Sequence, residues 1–436
     1  MCEQTRRGGA FSRGADDLRT GRRTLVAAGA AGLAAGVAIS TTPAAAVRDT
    51  SARSGRRAYV LVLDGCRPDE ITPLLMPRTS ALRDGGLNHP RAVSLPIMET
   101  IPNHVMMMTG VRPDRSGVPA NSVLDRQSGE VRDLDRESDI RVVTVIEQLN
   151  AAGLRTGTVL SKEYLYGVFG ARATYRWEPA PVIPVSGHAP DAATMEAALA
   201  MVADHDPHLV FVNLGDIDRV GHSDPTGPLS LKAARQLALA ATDLQVGRFV
   251  DLLQSSGLWD QSLVVVLADH SMDWSLAHRL IHLTPVLEAD PLLAGNVVIA
   301  DNGGADLLYW TGDPAHRDAA VARMVAIAGG VPGVLSAHDT ARTPWLRTGP
   351  VAGDVVVFCQ SGWRFSDPDQ WSNPIPGNHG HPATQPIPFF LAGGHPRVPR
   401  GASSLQAATI DVAPTVADFF GIEGPTGGYD GVTRLP

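Results

Sequence analysis

Acidic side chains in this 436-residue chain fall repeatedly at the ends of apolar runs. Asp64 follows Tyr59–Leu63, Asp216 and Asp218 follow Leu209–Leu214, and Asp269-His270 follow Ser262–Ala268. If those runs are neighbouring parallel strands, the carboxylates converge at one edge of the sheet. His222 stands four residues after Asp218, so one helical turn puts both on one face. His379, in Gly377-Asn378-His379-Gly380-His381, supplies another imidazole from a loop. A mixed set of carboxylates and imidazoles without clustered cysteines suits zinc, or manganese as a second choice. Each signal is weak alone, since an aspartate after a strand is commonly a cap or turn former. Their recurrence after successive apolar runs is what carries weight.

Thr100 opens Thr100-Ile101-Pro102-Asn103-His104, which runs into Val105–Met108 and stops at Thr109-Gly110. Proline near the first turn after a threonine is a helix-start pattern, with Thr100 as the expected cap. A helix N-terminus also stabilises phosphate. A threonine hydroxyl is a poor nucleophile unaided, and coordination to a metal activates it.

The elements that must position these residues alternate. Tyr59–Leu63, Thr156–Leu160, Leu209–Leu214, Ser262–Ala268 and Pro388–Ala392 read as strands. Val142–Leu149, Thr194–Ala203, Leu229–Gln254 and Ala407–Phe420 have helical spacing. The alternation predicts an α/β fold: a mostly parallel central sheet flanked by helices. Between Asn296 and Phe365 the pattern changes. Strand-like Asn296–Ile299, Asp306–Trp310 and Asp354–Phe358 surround a helix over Ala315–Ala328, which predicts a small inserted α+β lobe at about 296–365.

The first 46 residues read as an address. Arg22-Arg23 precede a mild apolar stretch, Leu25–Ile39, and Pro43-Ala44-Ala45-Ala46 offers a small-residue cleavage site. This resembles a twin-arginine export signal, so the mature protein is expected outside the cell or in its envelope, without an integral span. Residues 47–57 read as a linker, and 58–436 as one catalytic domain. The net charge is −8 although the leader is basic, so the acidity lies in the body. That argues against stable nucleic-acid binding, but not against a small phosphate substrate held by metals. Removal of the leader leaves Cys66 and Cys359, which could form a single disulfide in an oxidising compartment.

Taken in order, Asp64-Gly65, Thr100-Ile101-Pro102-Asn103-His104, Asp218-x-x-Gly221-His222, Asp269-His270-Ser271-Met272 and His379-Gly380 resemble the nucleotide pyrophosphatase/phosphodiesterase family of the alkaline phosphatase superfamily. The likeness runs from about Tyr59 to Ile422 and includes Asp243 with Gly247-Arg248, and Gly362-Trp363 with Phe365. It implies two metal ions sharing a substrate phosphate. Asp64, Asp269 and His270 would hold one beside the Thr100 hydroxyl; Asp218, His222 and His379 would hold the other. Asn121, in Ala120-Asn121-Ser122, matches the position whose amide binds a phosphate oxygen. Attack by Thr100 on phosphorus would give a covalent phosphothreonine-type intermediate.

Some positions depart from that pattern. Ser271 replaces a usual glycine, His381-Pro382 replaces a usual tyrosine-aspartate so that His381 competes with His379, and the segment after His222 is long. Cys66-Arg67-Pro68 imitates a sulfatase modification site but has Glu70 where an arginine is required. The resemblance implies a small phosphodiester or nucleotide substrate. No motif supplies the additional arginine expected of a monoesterase, which favours diesters. Phosphomonoester or phosphonate hydrolysis is the alternative, and a non-catalytic metal-binding surface protein a more distant one.

Overall fold

A computed structural model describes residues 26–27, 55–180, 187–223, 231–369 and 372–436. The leader, apart from 26–27, most of the linker, and 224–230 in the long segment after His222 lie outside the described residues.

The strand Arg57–Leu63 is buried along its whole length. It pairs in parallel with Leu209–Leu214 on one side and Ser262–Leu267 on the other. Thr156–Leu160 lies parallel beyond Leu209–Leu214, followed by Tyr175–Trp177. Past Ser262–Leu267 the sheet continues with antiparallel Phe389–Ala392 and the short strands Leu87–Asn88 and Gly401–Ala402. The two residues Val26–Ala27 pair antiparallel with Tyr175–Trp177 at the opposite edge. The result is a large, mostly parallel central sheet flanked by helices.

The central strands are continuous apolar runs because both faces are covered. Tyr59 packs edge-on against Phe249 of the helix Leu231–Ser255, with ring centroids 5.1 Å apart. On the other side Phe169 meets Phe211 at 5.5 Å. Burial of each such side chain stabilises the fold by roughly 1.5–3 kcal/mol.

A second sheet, antiparallel and four-stranded, has the order Val297–Asn302, Ala305–Trp310, Val355–Cys359, Val334–Asp339. The helix Arg317–Gly329 covers it, and the apolar cluster between them also takes in Leu283, Leu287 and Leu293. Val334–Asp339 was not expected from the sequence. Only Val334 in it is fully buried, so it lacks a clean alternation. Cys66 and Cys359 are both buried and unpaired. No helix among the described residues is long and apolar enough to cross a membrane.

Candidate active site

Four neighbouring strands end at the same edge, in the spatial order Thr156–Leu160, Leu209–Leu214, Arg57–Leu63, Ser262–Leu267. The residues just past them are Lys162, Asp218, Asp64 and Asp269-His270, in that same order. The sheet therefore lays out a row of charged side chains, all buried.

Thr100 is the first residue of the helix Thr100–Thr109, and Glu99 occupies the cap position. The expected role of Thr100 as the cap is thus corrected by one residue. Its hydroxyl lies 3.2 Å from His270 Nε2 and 3.4 Å from Lys162 Nζ. His270 Nε2 is 3.3 Å from Asp269 Oδ2 and 3.9 Å from Asp64 Oδ1. Asp216–Ser223 forms the expected helix, which sets His222 Nε2 3.3 Å from Asp218 Oδ1. His379 completes the group: its Nε2 is 3.1 Å from His222 Nε2, and its ring stacks on His270 at 3.8 Å. All seven side chains expected to hold metals are therefore brought together. His381 turns away, its Nε2 3.0 Å from Asp273 Oδ2.

Asn121 stands at the rim, its Oδ1 accepting the Ile101 N–H at 2.9 Å. Its own N–H donates to Glu99 Oε2 at 2.8 Å. Glu99, Thr100, Asn121, Asp218, His222 and His379 all border one cavity of about 240 Å³.

Two clusters can hold a metal ion by proximity: Asp218 with His270 and His379, and Asp64 with His104 and Asp269. His104 was not singled out from the sequence. Its Nδ1 donates to Thr100 O at 2.8 Å and its Nε2 accepts from Asn213 Nδ2 at 3.0 Å. With both nitrogens engaged, His104 orients its neighbours rather than offering a free lone pair. Asn213 Nδ2 also donates to Asp64 Oδ2 at 2.7 Å. Asp218 Oδ1 and Asp269 Oδ2 are buried without a hydrogen-bond partner among the described residues. Such orphaned carboxylate oxygens, beside imidazoles, fit a cation.

Lys162 was also missed. It is fully buried, and Nζ donates to Asp64 Oδ1 and Asp218 Oδ2 at 2.7 Å each. Burial opposes its charge, but the two carboxylates hold its proton more firmly than usual. Burial likewise opposes ionisation of Asp218, yet Lys162 and His222 hold its carboxyl well below the usual range. Asp64 and Asp269 are pushed up, chiefly by burial. His270 is pushed down to about 4 by burial, so its imidazole is neutral and able to coordinate. Arg219 also borders the cavity, its guanidinium 5.9 Å from the Tyr164 ring.

Two supports hold the row in place. Gly65 has φ +71°, and a Cβ there would lie 3.0 Å from Asp218 Cβ, so glycine lets this loop and the helix carrying Asp218 approach this closely. Arg235 donates to Gly65 O and Ile217 O at 2.9 Å each, tying the loop after Asp64 to the helix carrying Asp218. Asp243, part of the sequence pattern, lies elsewhere and accepts the N–H groups of Arg78 and Thr79.

Residues 58–382 match the family model for type I phosphodiesterase / nucleotide pyrophosphatase. The chain belongs to that family. It is thus a hydrolase of phosphoric esters, in a metal-dependent family. Among curated relatives, human ectonucleotide pyrophosphatase/phosphodiesterase family member 5 is 20% identical over 385 residues, covering 84% of this chain and 75% of that protein. Bis(5'-adenosyl)-triphosphatase ENPP4 of Bos taurus is 22% identical, covering 88% and 83%. Among solved structures, an inactive variant of murine ectonucleotide pyrophosphatase/phosphodiesterase 5 in complex with AMP superposes with TM-score 0.69 at 17% identity, covering 85% of this chain and 96% of that one. Phosphonoacetate hydrolase from Sinorhizobium meliloti 1021, in complex with phosphonoformate, gives 0.64 at 17% identity, covering 84% and 96%.

Proposed function

We propose that this chain cleaves phosphodiester or phosphoanhydride bonds by a two-metal, covalent route with Thr100 as nucleophile. The observation that carries this reading is the placement of the Thr100 hydroxyl at a helix N-terminus, 3.2 Å from His270 Nε2, inside the ring of buried acids and imidazoles. Asp64, Asp269 and His270 would hold one ion and Asp218, His222 and His379 the other. Zinc fits this donor set best, with manganese second. When bound, the ions would lower the pKa of the Thr100 hydroxyl and neutralise charge on the phosphoryl and leaving oxygens.

The chain's own part follows from its geometry. Thr100 Oγ gives up its proton to solvent and forms the new bond to phosphorus as the ester bond opposite breaks, and the leaving oxygen takes a proton from solvent. Water then breaks the Thr100–phosphate ester and restores the hydroxyl. Asn121 has its oxygen held by the Ile101 N–H, so its NH₂ is the part that serves a non-bridging phosphate oxygen. The positive end of the helix beginning at Thr100 favours the same phosphate.

A second reading rests on Arg219. The sequence offered no additional cation for a doubly charged substrate; this guanidinium bordering the cavity supplies one. It favours a monoester dianion or a phosphonate bearing a second anionic group, in line with the likeness to the phosphonoacetate hydrolase fold. The zinc-loaded enzyme assayed on matched aryl phosphate diester, aryl phosphate monoester and phosphonoacetate decides between them by kcat/KM. Faster diester turnover supports the first reading, and faster turnover of either alternative overturns it. The leader supports export of the protein from the cell.

A further inference from the structure

The place of Asn121 is set through the backbone around it. Glu99 Oε2 accepts its N–H at 2.8 Å, and its carbonyl accepts Leu134 N–H at 2.8 Å. The next residue is held by a side chain from far along the sequence. Asn302 Oδ1 accepts Ser122 N–H at 2.8 Å, and Asn302 Nδ2 donates to Ser122 O at 3.0 Å. One amide thus engages both backbone polar groups of the residue beside Asn121. Its Nδ2 also donates to Ala300 O at 3.2 Å, so two carbonyls and one N–H fix which way the amide faces.

Asn302 belongs to the second sheet. It ends the strand Val297–Asn302 and pairs with Ala305 across the turn Gly303-Gly304. That turn makes no use of its side chain. Gly303 supplies the left-handed backbone at φ +71°, and Asp301 Oδ1 accepts the Gly303 N–H at 2.7 Å. A turn-forming role therefore leaves the Asn302 amide unexplained. Asn302 is only 4% exposed, and it borders the same cavity as Thr100, Asn121 and His379. Breaking such a buried pairing leaves polar groups unsatisfied, so the two segments are firmly joined.

The other end of the turn reaches the metal ligands, where Gly304 N–H donates to His379 O at 2.7 Å. Residues 302–304 therefore bridge the segment carrying Asn121 and the segment carrying His379.

We propose that Asn302 is a positioning residue for phosphate binding: it fixes Ser122, and through it the Asn121 amide, against the second sheet. The proposal rests on the reading of Asn121 as a phosphate ligand. A shift of about 1 Å in a substrate-holding group costs up to about 10²-fold in rate. Glu99 and the Ile101 N–H still hold Asn121 from the helix side when Asn302 is removed, so a smaller loss is expected.

The test is a double-mutant cycle on the full zinc-loaded chain. Wild type, Asn302→Ala, Asn121→Ala and the double variant are assayed on the aryl phosphate ester that the wild type turns over fastest, with zinc content measured on each. Asn302→Ala is expected to lower kcat/KM about tenfold at unchanged zinc content. On the Asn121→Ala background the same change is expected to cost less than about twofold. A residue that merely supports the fold costs the same on both backgrounds. That equal loss overturns the proposal and leaves the Thr100 chemistry standing. Wild-type turnover by Asn302→Ala, or a loss that tracks lost zinc, also overturns it. If Asn121→Ala turns over like the wild type, the role of Asn121 falls and the proposal with it, while Thr100→Ala decides the nucleophile separately. If Asn302→Ala does not fold, the cycle is run with Asn302→Asp, which keeps the acceptor for Ser122 N–H and loses the donor to Ser122 O; the same outcomes then decide.

Discussion

The Lys162 ammonium stands midway between Asp64 and Asp218, 2.7 Å from each. Those carboxylates are assigned to different ions in the proposed mechanism. Lys162 therefore neutralises the metal-free site and must give up contacts as ions enter.

That relationship predicts the behaviour of Lys162→Met. Without metal, removal of the ammonium leaves two buried carboxylates unpaired, a loss of roughly 3–5 kcal/mol. Zinc should close most of that gap. Urea unfolding with EDTA and with zinc measures both values; an equal loss in the two conditions would mean that Lys162 does not stand in for the ions.

Metal removal should abolish turnover. Dialysis against chelator is expected to cut kcat by at least about 10³-fold, and added zinc to restore it, with manganese restoring less. The check is activity against measured metal content per chain.

Gly65→Ala places a methyl group against Asp218 in a left-handed backbone. We expect about 1–3 kcal/mol of lost stability and weaker zinc binding, since Asp64 and Asp218 are forced apart. Competition with a chromogenic chelator reads the affinity.

Asp191 predicts a pH effect. Its carboxyl accepts the Asp216 N–H at 3.1 Å and the Thr242 hydroxyl, while Asp191 N–H donates to Asp216 at 3.1 Å. Burial, then Asp216, pushes it up to about 7. The folded chain then keeps a proton that the unfolded chain releases near pH 4. Stability from this group falls as pH rises from about 4 to about 7, by an amount on the order of a few kcal/mol. Asp191→Asn should flatten that slope. Denaturant unfolding of both proteins at pH 5 and pH 8 makes the comparison, and parallel slopes would contradict the assignment.

Much of the fold and site was legible because the chemistry is tied to strand ends. Continuous apolar runs such as Val264-Val265-Val266 mark strands buried on both faces; Asp64 and Asp269 follow such runs within two residues, and Asp218 lies four residues beyond Leu214. Lys162 obeys the same rule after Thr156–Leu160, but a lone lysine after a strand reads as a solvated charge. Only the spatial order of the strands shows that it falls between two carboxylates. His104 was hidden for a related reason: its partners, Asn213 and Thr100 O, come from a strand interior and a backbone carbonyl. Thr100 was placed one residue out of register, because Glu99 precedes the helix without making a side-chain cap bond. Val334–Asp339 escaped because its half-exposed residues carry no periodic signal.

The central claim is that Thr100 attacks phosphorus, and Thr100→Ala in the zinc-loaded enzyme tests it most directly. The measurement is kcat/KM on an aryl phosphodiester, with zinc content determined on the same sample. The account predicts a loss of about 10³-fold or more with zinc retained. Turnover within about tenfold of the wild type, at equal zinc content, would contradict it.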